Sequence, residues 1–141
     1  MSVLNLFDRT LTDLDHVRLK NLMRRDRGER LSPSTTQQIE NTLDACAVVP
    51  ARKVSPDVVT MHSQVLLLDR ASGEQSKLTL CYPRDARPAE GWVSVLSPLG
   101  WSLLGLRAGQ VAYWSTPSGD EREAEVLAIL YQPEAHGDYS M

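Results

Sequence analysis

The sequence predicts an α+β fold: a short antiparallel pair of helices, then an antiparallel β-sheet that packs one short helix. Three observations predict it. Apolar residues recur at helical spacing between polar caps over residues 12–49. From residue 57 to 132 the pattern becomes β-prone runs separated by Gly- and Pro-bearing turns. Within those runs, residues 97–105 read as a brief helix, opened by Ser97-Pro98 and closed by Gly105.

The first helix starts at Thr12 or Asp13, small polar residues that satisfy free backbone N–H groups, and continues through Leu14, Val17, Leu19, Leu22 and Met23 to Gly28. A second starts at Ser34, where Ser34-Thr35-Thr36-Gln37 has the spacing of a capping box, and Ile39, Leu43, Cys46 and Ala47 supply its apolar face until Pro50. The short polar loop between them predicts an antiparallel hairpin. The connector VPARKVSP sets a boundary near Val54, giving a helical hairpin over 1–54 and a sheet domain over 55–141. In the second unit, QVLLLD and KLTLCYP flank the Ala71–Glu74 spacer as a β-hairpin, and WVSVL is a third strand. QVAYWST and EREAEVLAILY meet at the Pro117-Ser118-Gly119-Asp120 turn. The closing EAHGDYSM reads as a loosely held tail.

Composition narrows the function. Fifteen basic and eighteen acidic residues in 141 give a net charge of −3, which offers no general attraction for DNA or an anionic membrane. Any DNA contact is at most indirect. No run approaches the ~18 apolar residues of a membrane span, and the first residues lack the basic character of a signal peptide, so a cytoplasmic protein is expected. Cys46 and Cys81 lie far apart without CxxC spacing and read as reduced, partly buried thiols. His16, His62 and His136 have no metal-ligand spacing, and there is no Walker loop, GxGxxG or GxSxG elbow. The expectation is a protein without metal, cofactor or catalytic residues.

The block Ser97-Pro98-Leu99-Gly100-Trp101-Ser102-Leu103-Leu104-Gly105, followed by Gly109, resembles the signature of the C-terminal domain of the Gre transcript-cleavage factors. Thr116-Pro117-Ser118-Gly119 matches that family's hairpin turn. Asp57–Met61, Tyr131–Ala135 and Gly137-Asp138-Tyr139 are similar to a narrower group, the regulators of nucleoside diphosphate kinase. The resemblance implies an FKBP-like domain seated on the rim of the RNA polymerase secondary channel, with Leu96, Ser97 and Pro98 in the contact. Leu96 stands where Gre proteins usually carry an acidic residue. Trp101 and Trp114 are further candidates for a partner-facing patch, because tryptophan is enriched at interface hot spots.

In Gre factors a long coiled-coil finger carries tip acids to the polymerase active centre. Helices of ~15 residues span roughly 22 Å, about half the reach of ~30-residue helices. The tip residues Arg25, Asp26, Arg27 and Glu29 include an Asp-x-x-Glu pair, but Arg24, Arg25, Arg27 and Arg30 surround it and offset the charge that a hard cation needs. Together with the resemblance, these features imply a non-enzymatic regulator that binds polymerase and competes with Gre factors without stimulating cleavage. Two alternatives stay open. One is a prolyl isomerase or chaperone-like binder, whose aromatic pocket would draw on Tyr82, Trp92, Trp101, Tyr113, Trp114 and Tyr131. The other is a direct partner of nucleoside diphosphate kinase.

Overall fold

The computed structural model describes residues 9–25, 33–116 and 118–138. Strand β1 (Thr10–Thr12) runs directly into helix α1 (Asp13–Arg25), and helix α2 (Pro33–Ala45) leads into strand β2 (Ala47–Val49). β1 and β2 pair in parallel at the base of the hairpin, Thr10 opposite Ala47 and Thr12 opposite Val49. Thr12 Oγ1 accepts the Asp15 N–H at 3.0 Å, satisfying a free donor of the first turn. Asp13 and Asp15 begin α1 and Arg24 and Arg25 end it, the arrangement that complements the helix dipole.

The helical reading of residues 12–49 changes at its edges. Three-residue strands bound the hairpin, and Ala47 occupies an exposed strand position instead of the helical apolar face. α2 begins at Pro33, so Ser34 lies inside the first turn and not at its cap; proline's fixed φ suits that first position. α1 buries Asp15, Leu19 and Met23, spaced by four, while Leu14 and Val17 remain exposed.

The second unit is a curled five-stranded sheet in the order β5–β4–β3–β7–β6. Its strands are β3 (Gln64–Asp69), β4 (Gln75–Cys81), β5 (Trp92–Ser94), β6 (Val111–Ser115) and β7 (Glu121–Tyr131). Val65 and Leu67 point inward between the half-buried Gln64, Leu66 and Leu68, the period-two alternation of a sheet with one covered face. Register shifts between β3 and β7, at Gln64/Val65 and Leu66/Leu67, bend the eleven-residue β7 around the core. One departure from the expected antiparallel sheet is β5, which pairs with β4 in parallel. Two proline-led 3₁₀ turns, Pro83–Asp85 and Pro88–Glu90, carry the chain back to make that pairing.

Helix α3 (Pro98–Leu103) closes the inner face, and Leu103, Leu104 and Leu106 behind it are fully buried. The core is continuous. Leu19, Met23, Ile39 and Leu43 of the hairpin belong to the same buried cluster as Val65, Leu80, Leu103 and Val126. Backbone bonds add to this joint: the Thr10 N–H donates to Gly105 O at 3.0 Å, and the Gly105 N–H donates to Val59 O at 2.9 Å. Gly105 has φ +83°, and a Cβ there would meet Arg9 Cβ and Thr10 O at 3.1 Å. Among the described residues, no helix is long and apolar enough to cross a membrane.

Candidate functional site

The start of α3 is built by three small residues. Ser97 Oγ accepts the Gly100 N–H at 3.1 Å and donates to Ser94 O at 2.7 Å, so this hydroxyl caps the helix and ties it to β5. Pro98 follows at the first helical position and is exposed. Gly100 lies so close to β5 that a Cβ would sit 2.0 Å from Ser94 O, an overlap with backbone that any side chain would create. Beside this turn lies a groove of about 330 Å³ with an almost wholly apolar lining, including Pro88, Val93, Pro98, Leu99 and Trp114. It brings together the beginning of α3, the end of β6 and the segment before β5.

The GreA/GreB transcription elongation factor C-terminal family model matches residues 54–131, which contain this turn, the groove and the whole sheet. The chain belongs to the GreA/GreB family. It is 36% identical over 129 residues to the "Regulator of nucleoside diphosphate kinase" of Escherichia coli (strain K12), covering 92% of this chain and 93% of that protein. Transcription elongation factor GreA of Geobacillus kaustophilus is 33% identical over 96 residues, 68% of this chain and 60% of that longer protein. Among solved structures, the prokaryotic transcription elongation factor GreA/GreB from Nitrosomonas europaea superposes with a TM-score of 0.73 at 30% identity. That match covers 87% of this chain and 99% of the other. The protein is accordingly a regulator of the transcription-elongation-factor type.

Of the residues singled out in this GreA/GreB protein, Ser97 and Pro98 line the groove, together with Trp114. Leu96 is half-buried against the core, and its N–H donates to Ser94 Oγ at 3.0 Å. Trp101 faces the hairpin: the Arg9 guanidinium lies 5.8 Å over its ring and donates to its carbonyl at 2.7 Å. Burial lowers Arg9 to about 10, with a smaller opposing influence from Cys46. Arg25 ends α1, while Asp26, Arg27 and Glu29 lie outside the described residues.

The six aromatics considered for an isomerase pocket are dispersed. Trp114 lines the apolar groove, and Tyr82 lines a different cleft. Trp92 and Tyr113 are exposed, and Tyr131 stacks on His136 at 4.7 Å. The other histidines are spread as well: His16 Nε2 bonds Leu43 O at 2.8 Å, and His62 meets Tyr82 edge-on at 5.6 Å.

Two features leave no mark in the sequence. Asp15 is 3% exposed, and its Oδ2 accepts the Met61 N–H at 3.1 Å, clasping α1 to the sheet unit. Burial pushes the Asp15 carboxyl up to about 7; Glu134 raises it further, while the Met61 N–H, Arg18 and Thr12 oppose the rise. The second feature is a cleft of about 430 Å³ between α1 and the exit of β4, containing Arg18, Arg25 and Arg84.

Proposed function

We propose that this protein binds RNA polymerase at the rim of the secondary channel, using the Pro98 turn and the apolar groove beside it, and thereby competes with Gre factors. The observation that carries the reading is the groove: it adjoins the Ser97-Pro98 element within the matched family region, and Pro98 stands exposed at its edge. Ser97 contributes by shaping the turn, since its hydroxyl is engaged within the chain. Leu96 and Trp101 support the turn from behind.

We read the unit beyond residue 54 as an FKBP-like docking domain and the unit before it as a short coiled-coil finger. The family match, which begins at residue 54, supports this division. α1 and α2 have 13 residues each, so each spans about 20 Å at ~1.5 Å per residue. A finger of that reach enters the channel without delivering an acid to the active centre, so the protein acts by occupancy and not by catalysis. Arg25 and the tip residues Asp26, Arg27 and Glu29 then contact the channel wall rather than a metal.

Competition for core polymerase tests this reading. Increasing amounts of the protein are expected to displace a labelled Gre factor, with no stimulation of transcript cleavage in a stalled complex. Pro98→Arg is expected to weaken displacement by about tenfold or more with the fold intact, since a bulky charge beside an apolar contact is costly to bury. Simultaneous binding of both factors would overturn it. The 36% identity to a regulator of nucleoside diphosphate kinase favours a second reading, direct contact with that kinase. Capture of purified kinase in the absence of polymerase would establish it.

A further inference from the structure

The two edges of the five-stranded sheet are finished differently. At one, β5 is only three residues long and its backbone is engaged: Trp92 exchanges hydrogen bonds with Arg87 at 2.8 and 3.1 Å, and Ser94 O accepts the Ser97 N–H at 3.1 Å. β6 forms the other edge. Gln110 O accepts the Val126 N–H at 2.9 Å, and the Thr116 N–H donates to Asp120 O at 2.8 Å. With the register of β6 on β7, Ala112 and Trp114 therefore bond β7, while Val111, Tyr113 and Ser115 turn their N–H and C=O groups outward. Among the described residues these outward groups have no partner. The strand Val-Ala-Tyr-Trp-Ser also lacks the charges and prolines that ordinarily blunt an edge.

The two faces beside this edge have opposite characters. Val111, Tyr113 and Ser115 stand opposite Glu125, Glu123 and Glu121, so a row of carboxylates runs along the face that carries the exposed Tyr113. Glu123 meets Arg70 only at 3.8 Å, and Glu121 and Glu125 form no ion pair among the described residues. On the inner face, Trp114 packs toward the core and joins Val93, Pro98 and Leu99 in the apolar groove. We propose that the edge of β6 takes up an extended segment of a partner protein in which basic residues alternate with apolar ones. The segment continues the sheet: its backbone pairs with Val111, Tyr113 and Ser115, its cations lie on the carboxylate face, and its apolar side chains enter the groove beside Trp114. A second copy of this chain fits less well, because antiparallel pairing of β6 with β6 sets two carboxylate rows on one face. Pairing at this edge is independent of whether polymerase supplies the segment.

NMR titration of the full chain with a synthetic peptide of alternating lysine and valine tests it. At saturation, hydrogen exchange at the Val111, Tyr113 and Ser115 amides is expected to slow about tenfold or more, with the Trp92 amide unchanged. The same peptide with glutamate in place of lysine, or with alternate backbone amides methylated, should bind far more weakly. Tyr113→Pro removes an outward donor without breaking a bond to β7 and should weaken binding about tenfold, more than Tyr113→Ala does. Glu121→Gln combined with Glu125→Gln should weaken it about fivefold with the strand intact. The proposal fails if millimolar peptide leaves the three amides unprotected, or if the glutamate or methylated peptide binds equally well. It fails equally if those amides are already protected by concentration-dependent self-association, which would assign the edge to a second copy.

Discussion

The hairpin and the sheet are held in place by different physics. The sheet rests on alternation: Val65, Leu67, Leu78, Leu80, Ala112 and Val126 line an apolar interior closed by α3 and the leucines after it. The hairpin contributes fewer apolar residues to that interior and is oriented by directional polar contacts at its base. Asp15 grips Met61, Asp13 accepts the Ala51 N–H at 3.1 Å, and Arg9 reaches Trp101. Apolar burial fixes whether the sheet exists; a handful of hydrogen bonds fixes where the hairpin points.

Substitutions can separate the two. Leu80→Ala in the sheet interior should have the largest effect, a loss of about 4 kcal/mol in chemical denaturation, because the fully buried site leaves a cavity. If it costs less than Leu→Ala at an exposed site, the division is wrong. Asp15→Asn comes next and concerns the junction. With its folded value raised to about 7 from an ordinary 3.8, Asp15 holds its proton more tightly in the folded than in the unfolded chain. Its contribution to stability is therefore complete below about pH 4, declines as pH rises to about 7, and is constant above. The substituted amide retains an acceptor for the Met61 N–H without the charge, so the variant should be more stable than wild type by up to about 4 kcal/mol at pH 8, with little difference at pH 4. An unchanged pH slope in the variant would sink this account.

Ser97→Ala removes the cap of α3 and is expected to cost about 1 kcal/mol, read as a shift in the denaturation midpoint. Lys20→Ala breaks the exposed 3.0 Å pair between α1 and α2 and should change stability by about 0.5 kcal/mol or less. A larger effect would mean that surface ion pairing organises the hairpin.

Much of the sheet was legible in the sequence because period two is a strong local signal, and the glycine- and proline-bearing turns mark its breaks. The α3 block was legible for a similar reason: Ser97, Pro98 and Gly105 each answer a local hydrogen-bonding or backbone demand, whereas the closeness of Gly100 to Ser94 O is a tertiary contact. β1 and β2 were not, since three residues abutting a helix carry no periodicity of their own. The parallel direction of β5 depends on two 3₁₀ turns that leave no pattern in the strand itself. The Asp15 clasp is silent in the sequence because an acidic residue at a helix start is already favoured by the dipole, while its burial depends on Met61, 46 residues away. The arginine cleft likewise needed Arg84 to meet α1 in space. For the groove, Ser97, Pro98 and Trp114 were identified individually, but only the packing of β6 against α3 unites them.

Gly105 makes the molecule a lever. On one side its N–H is fastened to Val59, on the other its carbonyl to Thr10, and α1 leaves the base three residues after Thr10. The missing side chain is what lets β1 lie against this point. A single added methyl group acts as a wedge at the fulcrum, and a tilt there grows along an arm of about 20 Å. The smallest residue in the chain thus sets the aim of its longest reach.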